Sequence, residues 1–318
     1  MLAAVGFSFK AILVKLAYAV PSPVELSALT LLALRMLYSL PAFAWIAWRE
    51  SKDKTPLTTK QWLIVTALGM CGYYGASLFD FIGLQYISAG LERLVLAIYP
   101  TLTLILSVAF FGEKLTRRKL AACAICYLGI GAAFMHDLNF AADNSAVWVG
   151  SGFVFASAVS YSLYLIGTGP MISQIGTQRF TALAMLVSTA IMLGHFFATT
   201  PLASLAQPLH THFLALCMAL FSTIIPVFAL SAAIRRIGAP SSALIGSTGP
   251  LITILLGWWL LHEPVSFAQL GGMVLVAAGV MLIGKRWAGI SAHLQDRLKC
   301  IKFAVFCIYG KCIFRPDC

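Results

Sequence analysis

The sequence predicts an all-α membrane protein with ten transmembrane helices in two inverted five-helix repeats. Three observations carry that prediction: an apolar composition, a stretch that recurs at half the chain length, and basic residues confined to alternate loops. Of 318 residues, 60% are hydrophobic and only 10% charged, too little polar material to coat a soluble surface. Apolar runs of about 20 residues, each enough to cross the hydrocarbon as a helix, recur along the whole length. From Ile87 the chain reads ISAGLERLVLAIYPTLTLILSVAFFGEKLT, and 150 residues later, from Ile237, IGAPSSALIGSTGPLITILLGWWLLHEPVS. At that offset Ala89 pairs with Ala239, Pro100 with Pro250, Thr103 with Thr253, Glu113 with Glu263, Thr116 with Ser266 and Gly129 with Gly279. A duplicated unit in an apolar chain is a common plan for transporters.

In order, the predicted helices are 1–20, 26–48, 61–84, 90–111, 118–135, 146–168, 180–199, 212–234, 240–261 and 267–284. The Pro21-Ser22-Pro23, Pro201 and Pro208 clusters fall between them, where turn chemistry belongs. Loops expected to face the cytoplasm hold Arg49, Lys52, Lys54 and Lys60, then Lys114, Arg117, Arg118 and Lys119, then Arg179, then Arg235 and Arg236. The charged residues of the opposite loops are Glu25, Asp137, Asp143 and Glu263, all acidic. By the positive-inside rule this places both termini in the cytoplasm. Five helices per unit then turn the second copy upside down, so the basic GEKLTRRK loop faces in and its counterpart HEPVS faces out.

The remaining composition excludes several classes. A net charge of +11 would suggest nucleic acid in a soluble protein, but no aromatic-interleaved basic face accompanies it, and no nucleic-acid partner is expected. The opening MLAAVGFSFK lacks a basic leader region and a convincing cleavage site, so the first helix is expected to be retained. Cys71, Cys123, Cys126 and Cys217 lie in apolar helices and read as small core residues; CAIC lacks the further ligands a zinc site needs. No HExxH, nucleophile elbow or P-loop is present, and the six histidines are scattered. No cofactor or metal is expected, and the chain is not read as an enzyme. An intramembrane enzyme or a non-transporting sensor is the alternative.

The patterns FSFKAILVKLAY, ALRMLYSLP and GLQYISAGLERLVLAIYPTLTLILSVAFFGEKLT, with SSALIGSTGPLITILLGWWLLHEPVSFAQLGGMVLVAAGV in the second half, resemble the EamA-like branch of the drug/metabolite transporter superfamily. The paired prolines and the G-E or H-E helix endings are the most specific part of the resemblance. It divides the chain into a first unit at 1–135, a second at 146–286 and a cytoplasmic or membrane-surface tail at 287–318 without counterpart. It implies ten helices around a central substrate cavity, in a bacterial inner membrane, and secondary transport, most often export of small metabolites or amino acids. Deleting residues 288–318 is expected to leave transport intact.

Six ionisable residues fall inside the predicted helices: Lys10, Lys15, Arg35, Asp80, Glu92 and Arg93. Such a charge at a helix centre costs roughly 2.5 to 3.5 kcal/mol on insertion scales, so these side chains should face protein, water or one another. Four cations against two carboxylates suggest a substrate with an anionic group, with Lys15 or Arg35 as its counter-ion. A structural ion-pair network is the competing account. Asp80 is the candidate for proton coupling, with pairing to Arg93 as its alternative. Pro100 and Pro250, expected near the middle of helices 4 and 9, would free the carbonyls of Leu96 and Gly246. Tyr99, Ser247, Thr248 and Tyr161 could add hydrogen bonds to a substrate. The small-residue runs from Tyr127 and Gly271 should pack helices closely, with a homodimer contact as the alternative. Trp258 and Trp259 should anchor the outer end of helix 9.

Overall fold

Every regular element among the described residues is a helix, as lipid demands of a chain whose backbone groups must be satisfied internally. The computed structural model describes residues 2–22, 24–111, 117–140, 144–227, 229, 249–262 and 266–279. The helices are α1 (Leu2–Tyr18), α2 (Ala28–Ser51), α3 (Thr59–Gly69), α4 (Ala76–Tyr86), α5 (Ala89–Leu96), α6 (Tyr99–Phe111), α7 (Arg117–Phe140), α8 (Asn144–Ile175), α9 (Thr177–Thr199), α10 (Leu209–Cys217), α11 (Gly249–Leu261) and α12 (Phe267–Gly279). A π-helical turn, Met70–Gly75, joins α3 to α4, and another, Met218–Ile224, follows α10. Five runs among the described residues are long and apolar enough to cross a membrane: Ala28–Ser51, Thr59–Tyr86, Asn144–Thr168, Thr177–Thr199 and Leu209–Val227.

Local chemistry sets the starts. Ser27 caps α2 by accepting from the Thr30 amide at 3.1 Å, and Ser88 caps α5 by accepting from Leu91 at 3.1 Å. Thr58 with Gln61, and Ser266 with Gln269, form reciprocal capping boxes at α3 and α12. The 150-residue repeat reappears in the element bounds. Thr59 and Leu209 open equivalent helices, α3 and α10.

The structure departs from the sequence expectations in three places. Helix 4 is not continuous over 90–111. It breaks at Ala97–Ile98 into α5 and α6, so Pro100 is the second residue of α6 rather than a mid-helix kink. The Ile98 amide turns back to Val95 at 3.2 Å in a tightened last turn, and a proline is tolerated in the first turn of the helix that follows. Helix 6 runs past its expected end to Ile175, stopping at Gly176, which adopts φ +85, a left-handed conformation glycine takes without steric cost. Arg179 is not a solvated loop cation. It is 5% exposed, and its guanidinium donates to Ser51 Oγ at 3.1 Å and to the Thr55 carbonyl at 2.9 Å.

Those contacts put the end of α2 and the start of α9 at one end of the bundle, where Gln61 also meets Gln174 at 3.2 Å. The basic 49–60 segment therefore shares an end with the α8–α9 junction. Ser22 and Gln207, from two segments expected on the opposite side, bond to each other at 2.8 Å.

The first helix of each unit packs on the other. α1 lies against α10, its following π turn and α11, whereas α8 lies against α4, the π turn before it and α6. Glycine permits the close approaches. A Cβ on Gly72 would overlap the Tyr164 ring, and one on Gly129 would meet the Gly272 carbonyl and Leu275. The two small-residue runs thus pack α7 against α12 within one chain.

Candidate functional site

Four of the predicted intramembrane charges come together where α1, α4 and α5 meet. Lys10 Nζ lies 2.7 Å from Asp80 Oδ2, and Arg93 Nε lies 3.1 Å from Glu92 Oε2. Both carboxyl groups are fully buried. Arg93 also donates through Nη2 to the Phe7 carbonyl at 2.7 Å, which ties α5 to α1. Asp80 is therefore bonded to Lys10 rather than satisfied by Arg93 alone.

Arg35 reaches the same region from α2. Its Nη2 donates to Ser77 Oγ at 3.0 Å, and the guanidinium carbon sits 5.0 Å above the centre of the Phe81 ring. The side chain is 6% exposed, it lies within the field of Asp80, and Nε has no hydrogen-bond partner among the described residues. Lys15 lies in the last turn of α1, nearer the helix end than its expected deep position.

The break before α6 is lined by aromatic rings. Tyr99 meets Tyr161 edge-on with ring centres 5.3 Å apart, Tyr161 stacks on Tyr164 at 5.7 Å, and the Tyr164 and Tyr73 hydroxyls are 2.9 Å apart. Tyr73 is in the first π turn, a feature frequent at functional sites. Pro250 lies in α11 beside Gly249, and the residues before Gly249, where its helix was expected to begin, lie outside the described residues. Ser247, Thr248 and Gly246 lie outside the described residues.

The sequence reasoning missed a set of serines. The Tyr99 carbonyl, at the start of α6, accepts from Thr103 Oγ1 at 2.7 Å and from Ser162 Oγ of α8 at 3.0 Å. The Gly249 carbonyl, in α11, accepts from Thr253 Oγ1 at 3.2 Å and from Ser8 Oγ of α1 at 2.9 Å. Each of these two carbonyls, 150 residues apart, is thus held by a threonine of its own helix and by a serine from α8 or α1. Ser157 and Ser160 of α8 likewise donate to Ala76 and Cys71 carbonyls at the π turn, both at 2.7 Å. Thr103 and Thr253 recur at the repeat offset and were the available signal. Ser8 and Ser162 have no such mark.

This arrangement can bury charge within an apolar bundle, bind a polar solute beside an aromatic wall, and link the two units through α1 and α8. Among the described residues no group of three or more His, Cys, Asp or Glu side chains could hold a metal.

Comparison with known proteins agrees with the fold. A crystal structure 18% identical in sequence superposes with a TM-score of 0.62, covering 89% of this chain and 93% of that one. The chain is 28% identical over 297 residues to the uncharacterized transporter YcbK of Bacillus subtilis, covering 88% of this chain and 90% of the relative. It is 29% identical over 232 residues to a protein of Streptantibioticus cattleyicolor named "Probable terminal-alkyne amino-acid exporter", covering 70% and 74%. A Salmonella typhimurium protein named "Probable amino-acid metabolite efflux pump" is 24% identical over 255 residues, covering 78% and 82%. Residues 1–135 and 148–285 match the EamA-like transporter family, and the chain belongs to that family of membrane transporters.

Proposed function

We propose that this protein is a secondary transporter that exports small amino-acid-like metabolites across the bacterial inner membrane by alternating access, with both termini in the cytoplasm. The ten helices form two inverted five-helix units, and the substrate binds between them at the two proline-led half-helices. The observation that carries this reading is the matched pair of carbonyls at Tyr99 and Gly249, 150 residues apart, each accepting a serine hydroxyl from the first helix of the other unit. Interrupted helices in corresponding positions of two halves are the best pointer to a transporter's binding site. The exporter names of two relatives support an amino-acid-like substrate.

In this reading Arg35 is the counter-ion for the substrate's carboxylate, because its buried Nε has no hydrogen-bond partner among the described residues and a guanidinium pairs with a carboxylate in a planar fork. Lys15 is a second cation on the path. Tyr99 and Tyr161 form the apolar wall, and Pro100 leaves the Leu96 carbonyl without its helical donor. Pro250, Ser247 and Thr248 contribute the second half of the site. Reconstitution into vesicles with a panel of labelled amino acids tests this: saturable flux without added nucleotide supports it, and no flux for any member of a broad panel refutes it.

A further inference from the structure

We propose that the break between α5 and α6 binds a small monovalent cation, sodium or potassium, through the carbonyl oxygens of Leu94, Leu96 and Ala97 and the hydroxyl of Thr101. The ion site stands on the helix break; its role as the coupling ion rests on the transporter reading.

The backbone hydrogen bonds identify the ligands. The Ala97 amide completes α5 by donating to the Arg93 carbonyl at 3.0 Å, but the Ile98 amide, which would continue the helix to Leu94, donates to Val95 at 3.2 Å. Pro100 has no amide hydrogen to give Leu96. The Thr101 amide, the helical donor for Ala97, goes to the Ile98 carbonyl at 2.9 Å, where the Leu102 amide joins it at 3.0 Å. Among the described residues the carbonyls of Leu94, Leu96 and Ala97 therefore have no amide donor. Nearby side-chain donors are committed elsewhere: Arg93 Nη2 to the Phe7 carbonyl, and Thr103 and Ser162 to the Tyr99 carbonyl. Leu94 is fully buried, and a buried carbonyl without a donor costs free energy until water or an ion satisfies it.

Thr101 is an independent sign of a ligand. Its hydroxyl is buried with no hydrogen-bond partner among the described residues, whereas Thr103 and Thr253 each bond the carbonyl four residues back. A helical side chain leans over the turn N-terminal to it, which for Thr101 is the Ala97–Ile98 break. The last carbonyls of α5 point along its axis to the same place, where the helix dipole is negative. Carbonyls at the C-terminal end of an interrupted helix are suited to a monovalent ion. Calcium and magnesium favour carboxylates, and the Glu92 carboxylate, one turn earlier, leans toward the start of α5 and takes Arg93. α5 packs on α1, α4, α7, α8 and α11, so the break lies inside the bundle, while Leu96 and Ala97 keep some exposure through which an ion can enter. Tyr99 follows directly, so the ion binds beside the proposed substrate position.

The test is thermal unfolding of the purified full-length protein in detergent, at constant ionic strength, in sodium, potassium or N-methylglucamine chloride. Wild type should gain a saturable rise of several degrees with sodium or potassium over N-methylglucamine. Thr101→Val removes the unpartnered hydroxyl, so it should fold as well as wild type without the ion and need about 10-fold more ion, or beyond, for the same rise. Thr101→Ser should keep the wild-type response. Pro100→Ala, which returns an amide donor to Leu96, should weaken it independently. Identical behaviour of wild type in all three salts overturns the proposal and leaves water as the partner of these carbonyls. An undiminished response in folded Thr101→Val overturns it as well. In vesicles, a gradient of the effective ion should accelerate amino-acid flux in wild type and not in Thr101→Val; flux indifferent to that gradient overturns the coupling role. If the thermal response is as expected and wild type moves no solute, the transport reading fails and the ion site stands.

Discussion

Breaking the Lys10–Asp80 pair should destabilise the bundle by an amount that depends on which partner is removed. The contact is 2.7 Å, with the Asp80 side chain 1% and the Lys10 side chain 16% exposed. Removing one member of a buried pair costs about 3–5 kcal/mol, because the other charge is left uncompensated. Lys10→Met strands a carboxylate with almost no access to water and should fall near 5 kcal/mol. Asp80→Asn strands an ammonium that retains some access and should fall near 3 kcal/mol. With both replaced no charge is stranded, so the double variant should cost about 1–2 kcal/mol, far below the sum of the singles. Equilibrium unfolding of the four proteins in one detergent measures the cycle. A double variant equal to the sum of the singles would show that the two side chains do not depend on each other, and would refute the pairing.

Three further outcomes follow from the same geometry. Arg35→Gln should weaken transport of an amino acid by about 10-fold or more, the scale of a lost charge-assisted hydrogen bond, while its effect on the corresponding amide should be small; equal losses for both would remove Arg35 as counter-ion. Ser8→Ala and Ser162→Ala each release one carbonyl contact worth about 0.5–1.5 kcal/mol, and on the proposed inverted halves they should shift the inward–outward balance in opposite directions by several-fold, read by cysteine accessibility from each side. Gly129→Val should destabilise by about 1–3 kcal/mol, since its side chain would run into the Gly272 carbonyl, whereas Gly131→Val, with open space around its Cβ position, should change thermal stability little.

Helix positions were legible because length and apolarity are local properties, and the repeat offset carried over to Thr59 and Leu209 as element starts. The intramembrane charges were equally visible, since Lys10, Asp80, Glu92 and Arg93 stand out against apolar neighbours. Their partners were not. Asp80 takes Lys10, 70 residues away in sequence, because α1 crosses α4, and nothing local to either helix encodes that crossing. Proline chemistry announced trouble near Pro100, but whether a helix kinks or breaks depends on what receives the freed groups. Here the helix breaks in a tightened turn, with the Ile98 amide bonded to Val95, and a serine on α8 bonds the Tyr99 carbonyl. The π turns leave no periodic trace in the apolar pattern. Arg179 looked like any loop cation, and only the approach of the α2 end explains its burial.

The central claim is alternating access to a site between two units, and solute counterflow tests it most directly. Vesicles loaded with a high concentration of an unlabelled amino acid identified as a substrate, placed in a trace of the labelled one without nucleotide or ion gradient, should transiently accumulate label above equilibrium, with the overshoot strongly reduced in Arg35→Gln. Label that only equilibrates, at a rate indifferent to the internal amino acid, would contradict the account.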